Sequence, residues 1–509
     1  MDDLLLRDVR PLALRPGAPA TPEPVDLLLR DGVVVAAGPG LARPAGVPEL
    51  QAAGRWAIPG LWDQHVHLGQ WTLTRSRLDT AGCASPEEAV ALVAARVAAE
   101  PGRPVIGWGH RPGGWGREVR ASELDAVAGV TPVVLIAGDA HHAWLNSAAL
   151  AALGLGAREE VVRENEWFAA YERLTTITGD AGTTPADYRR TLEAAAARGV
   201  VGLVDLEFTD GVMAWQERWS GQLDLLRLRI GVYADRLEDV IARGLRTGAP
   251  LLPEDPTSDR LRMGSLKIIS DGSLNTRTAW CCDPYGSGGS GGDDHGAANL
   301  AAHELQALLA RAHMSGLEIA VHAIGDAACG AALDAFATTG AAGSIEHAQL
   351  VRPDDVARLA ALRLRASVQP AHLLDDRDVT ELLWPGRGER SFAFRWMLDA
   401  GVRLVLGSDA PVSPLDPWLA MAAAVHRSAD DRDPWHPEQA LTPREALAAS
   451  TDEHPGLTVP GTPGDVVLLD HDPLAVDPAE HGSAAAAAHL RTTQVALTVV
   501  GGRVVAGAV

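Results

Sequence analysis

The sequence predicts an α/β protein: a (β/α)8 TIM barrel, a small β-sandwich built from both chain termini, and an α/β insertion after barrel strand 1. Three observations predict it. Short apolar segments alternate eight times with stretches of helical length, the pattern of parallel strands covered on both faces. Both ends of the chain instead carry short strand-like runs broken by Asp-Gly and Gly-Gly turns, which read as hairpins. Many more residues separate the first and second barrel strands than one crossover needs.

In chain order, Val25–Arg30, the Asp31-Gly32 turn and Val33–Gly38 form the first hairpin. Gly464–Asp470, Gln494–Val500, the Gly501-Gly502 turn and Arg503–Ala506 repeat that pattern. Barrel strands are expected at Trp56–Asp63, Val200–Glu207, Arg229–Ala234, Gly264–Asp271, Glu318–Ile324, Gly343–Ala348, Arg365–Gln369 and Arg403–Ser408. The insertion covers about 70–190, with strands of its own at Pro104–Gly107 and Pro132–Ala137 and a Pro/Gly/Trp-rich loop from Trp108 to Gly116. A Gly/Ser/Asp-rich excursion, Cys281–Gly296, has the composition of a lid or a disordered loop. The expected domains are 1–57 and 451–509 for the sandwich and 58–450 for the barrel.

Composition narrows the class. With 47% hydrophobic and 22% charged residues, the 509-residue chain is globular rather than disordered. A net charge of −22 disfavours a nucleic-acid partner and suggests a soluble protein. The four cysteines, Cys83, Cys281, Cys282 and Cys329, make no CxxC pair and no disulfide framework. The Met-Asp-Asp start has no signal-peptide pattern, and no apolar run reaches the roughly 18 residues of a membrane helix. The expectation is a cytoplasmic protein, with its oligomeric state open.

Chemistry-bearing residues gather at the predicted strand ends, which face the active site in such a barrel. Strand one ends in Asp63-Gln64-His65-Val66-His67. His65 and His67 are two apart on a strand, so both imidazoles share a face and suit a divalent metal of the zinc type. His322 and His347, at the ends of strands five and six, can serve a second metal, and Asp409 after strand eight adds a carboxylate. Strand four carries Lys267, the single lysine among 44 Lys and Arg residues. A neutral lysine amine reacts with CO2 to give a carbamate, a bidentate anion that bridges two metals. Arginine stays protonated and cannot do so. A drift from lysine to arginine spares the one position whose chemistry forbids it.

These residues match a known family. Ile58-Pro59-Gly60-Leu61-Trp62-Asp63-Gln64-His65-Val66-His67 resembles the opening signature of the amidohydrolase superfamily. Leu266–Leu274, Ile319–Asp326, Ser344–Ala348, Ser367–Pro370 and Gly407–Pro411 resemble its YtcJ-like branch, which includes N-substituted formamide deformylases. Asp139–Ser147 resembles that branch's inserted segment. The resemblance implies a metal-dependent hydrolase holding a binuclear centre of two divalent ions through His65, His67, carboxylated Lys267, His322, His347 and Asp409. Gln64, Ala140 and the stretch Gly154–Thr178 depart from the branch's pattern, which bears on substrate specificity.

The expected reaction is hydrolysis of a C–N bond of amide or N-substituted formamide type. A metal-activated hydroxide attacks the carbonyl, with Asp409 as general base and then acid. Gln369 or Asn275 can donate a hydrogen bond to the oxyanion. Trp108, Trp115 and Trp144 of the insertion, with Trp71 and Trp280, are candidates for an aromatic substrate wall or for packing. His141, Asp271 and Arg277 complete the candidate substrate-binding residues. Arg277 can meet a substrate carboxylate or pair with Asp271 or Asp283. Three other readings stay open: a mononuclear deaminase or chlorohydrolase, a cyclic amidase, and a non-catalytic metal-binding homologue. The first typically places a glutamate three residues after the fifth-strand histidine, where this chain has Gly325.

Overall fold

Eight parallel strands form the barrel: β1 (Leu61–Val66), β2 (Val200–Asp205), β3 (Arg227–Val232), β4 (Leu261–Ile269), β5 (Ile319–Ala323), β6 (Gly343–His347), β7 (Arg365–Val368) and β8 (Arg403–Leu406). Each pairs with its sequence neighbour. The computed structural model describes residues 3–14, 23–110, 115, 117–137, 142–171, 173–179, 183–208, 211–255, 258–275, 277–286, 294–428 and 430–508.

Beyond the strand ends, backbone bonds link the first and last strands. Asp409 N–H donates to His65 O at 2.7 Å, and His67 N–H to Ala410 O at 2.9 Å. The seam between β1 and β8 is therefore made by candidate metal-site residues themselves. The Asp63 carboxylate reinforces it by accepting from the backbone N–H groups of His65, at 3.1 Å, and Ser408, at 2.9 Å. Gly407 is required here, since a Cβ would lie 2.7 Å from His65 N.

The first predicted strand is two strands. Trp56–Pro59 pairs antiparallel with Val466–Leu469 in the terminal sheet, and β1 begins only at Leu61. Gly60 makes the hand-off. Its N–H bonds Asp465 O at 3.0 Å, and a Cβ there would meet Val201 Cγ2 at 2.3 Å.

The terminal sheet has eight strands drawn from both ends of the chain. Its order is Arg503–Gly507, Val495–Val500, Val466–Leu469, Trp56–Pro59, Leu4–Pro11, Val25–Arg30 and Val33–Gly38, with Glu49–Gln51 also paired to Leu4–Pro11. Leu6, Leu27 and Val34 from the N-terminal half share one core with Val466, Leu468 and Val499. That shared core makes the two halves a sandwich.

Gly69–Thr191 is a separate compact unit inserted after β1. Its five-stranded sheet runs Val162–Arg163, His142–Leu145, Val133–Ala137, Val105–His110 and Leu78–Asp79. The first two pairings are antiparallel and the last two parallel. Helix Pro86–Ala99 starts with proline in its first turn, and Ser85 Oγ accepts from Glu88 N–H, so the missing proline donor costs nothing there. Among the described residues, no helix is long and apolar enough to cross a membrane.

Candidate metal centre

Asp409 stands between two pairs of histidines. Its Oδ1 lies 3.5 Å from His65 Nε2 and 3.3 Å from His67 Nε2, and its Oδ2 lies 3.8 Å from His372 Nε2. His65, His67 and Asp409 form one buried group, and His347, His372 and Asp409 form another; within each, the ligand-type atoms all fall within 4.8 Å of one another. The two groups are consistent with a binuclear metal site sharing one carboxylate. His322 is adjacent, its ring centroid 4.5 Å from that of His347. Its Nε2 is 3.1 Å from Gly272 O, which leaves the other nitrogen for a further partner.

Backbone strain shapes this site. His347 has φ 71° and Asp409 φ 57°. A non-glycine residue in the left-handed region costs about 1–3 kcal/mol and persists only when its surroundings hold it there. At His347 the turn has a visible result: it and the preceding residue both reach His65. Glu346 Oε2 is 2.7 Å from His65 Nδ1, while the His347 ring centroid is 5.0 Å from that of His65.

The electrostatics favour cation ligands. Burial, helped by Lys267, lowers the pKa of His65, takes His322 down to about 3, and His347 is held well below its usual range by burial and by His322. Neutral imidazoles carry the lone pairs that a metal needs. Burial alone would raise Asp409, but His65, His67 and His347 outweigh it and keep the carboxyl ionised. His67 Nδ1, His347 Nδ1 and His372 Nε2 are buried without a hydrogen-bond partner. Each such atom costs about 1–3 kcal/mol when nothing else satisfies it. Convergent neutral imidazoles, orphaned ring nitrogens and an ionised carboxylate therefore fit divalent metal ions.

Lys267 is 2% exposed, and its Nζ is 3.3 Å from His65 Nε2. Burial depresses its pKa, opposed by Glu346 and Asp409. Glu346 also accepts a hydrogen bond from Ser344 Oγ. Burial would raise this carboxyl, yet the hydrogen bond to His65, with Lys267 nearby, holds it low.

Other predicted site residues lie as follows. Asp271 is fully buried, and its oxygens accept from the backbone N–H groups of Ile324, Gly325 and Trp280. Burial pushes its pKa up to about 7 against those three bonds. Arg277 is half-buried with φ 56°. Gln369 is buried; its Nε2 donates to Ser367 O and its Oε1 has no partner. Asn275 donates to Asp376 Oδ1 at 2.9 Å, and Gln349 donates to Asp376 Oδ2 at 2.9 Å.

Within the insertion, Trp115 is buried and donates to Cys83 O, and Trp144 donates to Arg120 O. Both belong to that unit's own core. Trp108 is half-buried under the Arg77 guanidinium. His141 lies outside the described residues.

Sequence reasoning missed His372 and Glu346 as members of the site. His372 ends the one-turn 3-10 helix Pro370–His372 just past β7. The local Gln-Pro-Ala-His run was the available signal, because a proline after a strand turns the chain across the barrel mouth.

A barrel with buried His/His/Asp groups at its strand ends defines a metal-dependent hydrolase. The model of the amidohydrolase family matches residues 49–506, and the chain belongs to that family. It is 30% identical over 474 residues to the protein LONG AFTER FAR-RED 3 of Arabidopsis thaliana, covering 83% of this chain and 79% of that one. It is 26% identical over 518 residues to the N-substituted formamide deformylase of Arthrobacter pascens, covering 90% of each. An uncharacterized metal-dependent hydrolase from Pyrococcus horikoshii has a similar structure, with TM-score 0.75 and 26% identity over 94% of this chain and 100% of that one.

Proposed function

We propose that this amidohydrolase cleaves a C–N bond of amide or N-substituted formamide type, using two zinc-type ions bridged by carboxylated Lys267. The observation that carries the reading is the placement of Asp409, whose two oxygens face two histidine groups. His65, His67 and Asp409 would hold one ion. His347 would hold the other, with His322 and His372 beside it. Bound there, the ions would polarise the substrate carbonyl and lower the pKa of a water toward ~7.

The chain's own groups do the rest. Burial favours the neutral Lys267 amine, which attacks CO2 through its lone pair; an N–C bond forms as one C–O π bond of CO2 opens onto oxygen, the nitrogen gives up one proton to water, and a carbamate anion results. Asp409, held ionised, takes the proton of the attacking water and passes it to the leaving nitrogen. Gln369 Oε1, buried and without a partner, can accept the substrate amide N–H. His372 Nε2 faces the same carboxylate and completes the polar wall.

Position 325 argues against the mononuclear deaminase alternative. A Cβ at Gly325 would lie 1.9 Å from Trp280 O, so the glutamate of that alternative has no room there. An apolar wall is supplied within the barrel unit. Phe208 stacks on His67 with ring centroids 4.9 Å apart and 11° between planes, packs against Tyr233, and is 55% exposed. The substrate's N-substituent is accordingly apolar or aromatic.

The test is metal analysis of the purified protein together with turnover on N-substituted formamides, acyl amines and lactams. Two divalent ions per chain and amide cleavage that disappears in Asp409→Asn are expected. One ion per chain with no amide cleavage would overturn the proposal.

A further inference from the structure

The inserted unit holds a cavity of about 270 Å3, just below the roughly 300–1,000 Å3 typical of ligand sites. The described residues lining it all belong to Gly69–Thr191. Leu73, Ile106 and Leu174 give it an apolar floor. Arg77, Arg96 and Arg103 border it against one carboxylate, Glu100. Glu100 is 3.0 Å from Arg103 and 3.9 Å from Arg96, so one negative charge serves two cations.

Arg77 has no carboxylate partner among the described residues. Its Nη2 donates to Tyr171 Oη at 3.1 Å, its guanidinium sits 5.5 Å from the Trp108 ring centroid, and its Nε is buried without a hydrogen-bond partner. A second cavity of about 270 Å3 shares Ser76, Arg96, Glu100 and Arg103 and adds Arg75 together with the Arg190–Asp187 ion pair, so there too the cations outnumber the carboxylates. A surplus of cations around one hollow runs against the chain's net charge of −22.

We propose that the cavity binds a small organic carboxylate with an apolar body. The guanidinium fork of Arg77 suits the planar carboxylate, which it can grip through two N–H groups. Leu73, Ile106 and Leu174 take the apolar body. An inorganic anion would leave that floor uncovered. The apolar contact matters because rim charges in water contribute little by themselves. The site goes beyond the proposed hydrolysis and does not depend on it.

Isothermal titration of the full-length, metal-loaded protein tests this with hydrocinnamate, its neutral analogue hydrocinnamyl alcohol, palmitate and inorganic phosphate. Saturable binding of hydrocinnamate alone is expected. It should weaken about tenfold or more in Arg77→Gln. It should weaken likewise in Thr178→Trp, which fills the cavity and leaves every arginine in place. Neither substitution should change basal turnover. No saturable binding, equal binding of the alcohol, preference for palmitate or phosphate, or hydrocinnamate binding that survives both substitutions each overturns the proposal. The last outcome would place the acid elsewhere on the protein.

Discussion

Glu346 Oε2 lies 2.7 Å from His65 Nδ1, and the other oxygen of the same carboxylate accepts from Ser344 Oγ. A carboxylate in that position keeps the proton on Nδ1 and turns the Nε2 lone pair toward Asp409. Such partners orient metal-binding histidines and raise their basicity.

Glu346→Gln should therefore weaken metal binding by roughly 10–100-fold with the fold intact. Competition against a chromogenic chelator measures this without turnover. Equal metal affinity in the two proteins would remove Glu346 from this role.

Lys267→Ala should lose bound metal and activity, and short carboxylic acids such as acetate or propionate should restore part of both. Lys267→Arg should not respond to them, because the guanidinium fills the space and forms no carbamate. Metal content read beside activity checks this. Two ions and full activity in Lys267→Ala would falsify the carbamate.

Phe208 reports on the substrate. Phe208→Ala should raise KM about tenfold for substrates with an aromatic N-substituent, ~1.4 kcal/mol of lost contact, and leave kcat nearly unchanged. KM for an unsubstituted small formamide should not move. Steady-state kinetics on the two substrates decides it.

Asp26 gives a prediction about stability and pH. Its carboxylate accepts from Arg7 at 2.6 Å, Leu41 N–H at 2.9 Å and Asp8 N–H at 3.2 Å. Burial pulls its pKa up, but the Arg7 bond and the two backbone donors win and hold it below the usual carboxylate value. A carboxyl lowered by folding stabilises the fold above its unfolded pKa, ~3.9, and loses that contribution as pH falls through its folded value. Asp26→Asn should thus cost about 1–3 kcal/mol at neutral pH. The gap to the parent protein should close as pH drops below about 4. Urea unfolding across that pH range measures both.

Much of this was legible beforehand. The eight barrel strands stand out because strands buried on both faces are continuous apolar runs, and His65, His67, His347 and Asp409, which the two buried groups contain, sit at or near strand ends. Trp56–Asp63 misled for the same reason: two strands in different sheets form one apolar run. The break at Gly60 is set by Val201, about 140 residues away. Glu346 was hidden by the alternation rule, which puts neighbouring residues of a strand on opposite faces. The positive φ at His347 cancels that rule where it matters. His372 was hidden because its place depends on the turn at Pro370 rather than on strand periodicity. The packing of Trp115 and Trp144 is tertiary, and a tryptophan count cannot separate a lining from a core.

The terminal sheet bears on how the chain is made. Trp56–Pro59 is bordered on one side by Leu4–Pro11, which emerges early from the ribosome, and on the other by Val466–Leu469, about 400 residues later. At roughly 5–20 residues per second, that edge waits on the order of 20–80 s for its partner. During translation, Trp56–Pro59 presents unpaired N–H and C=O groups, the kind of edge that pairs with the wrong chain.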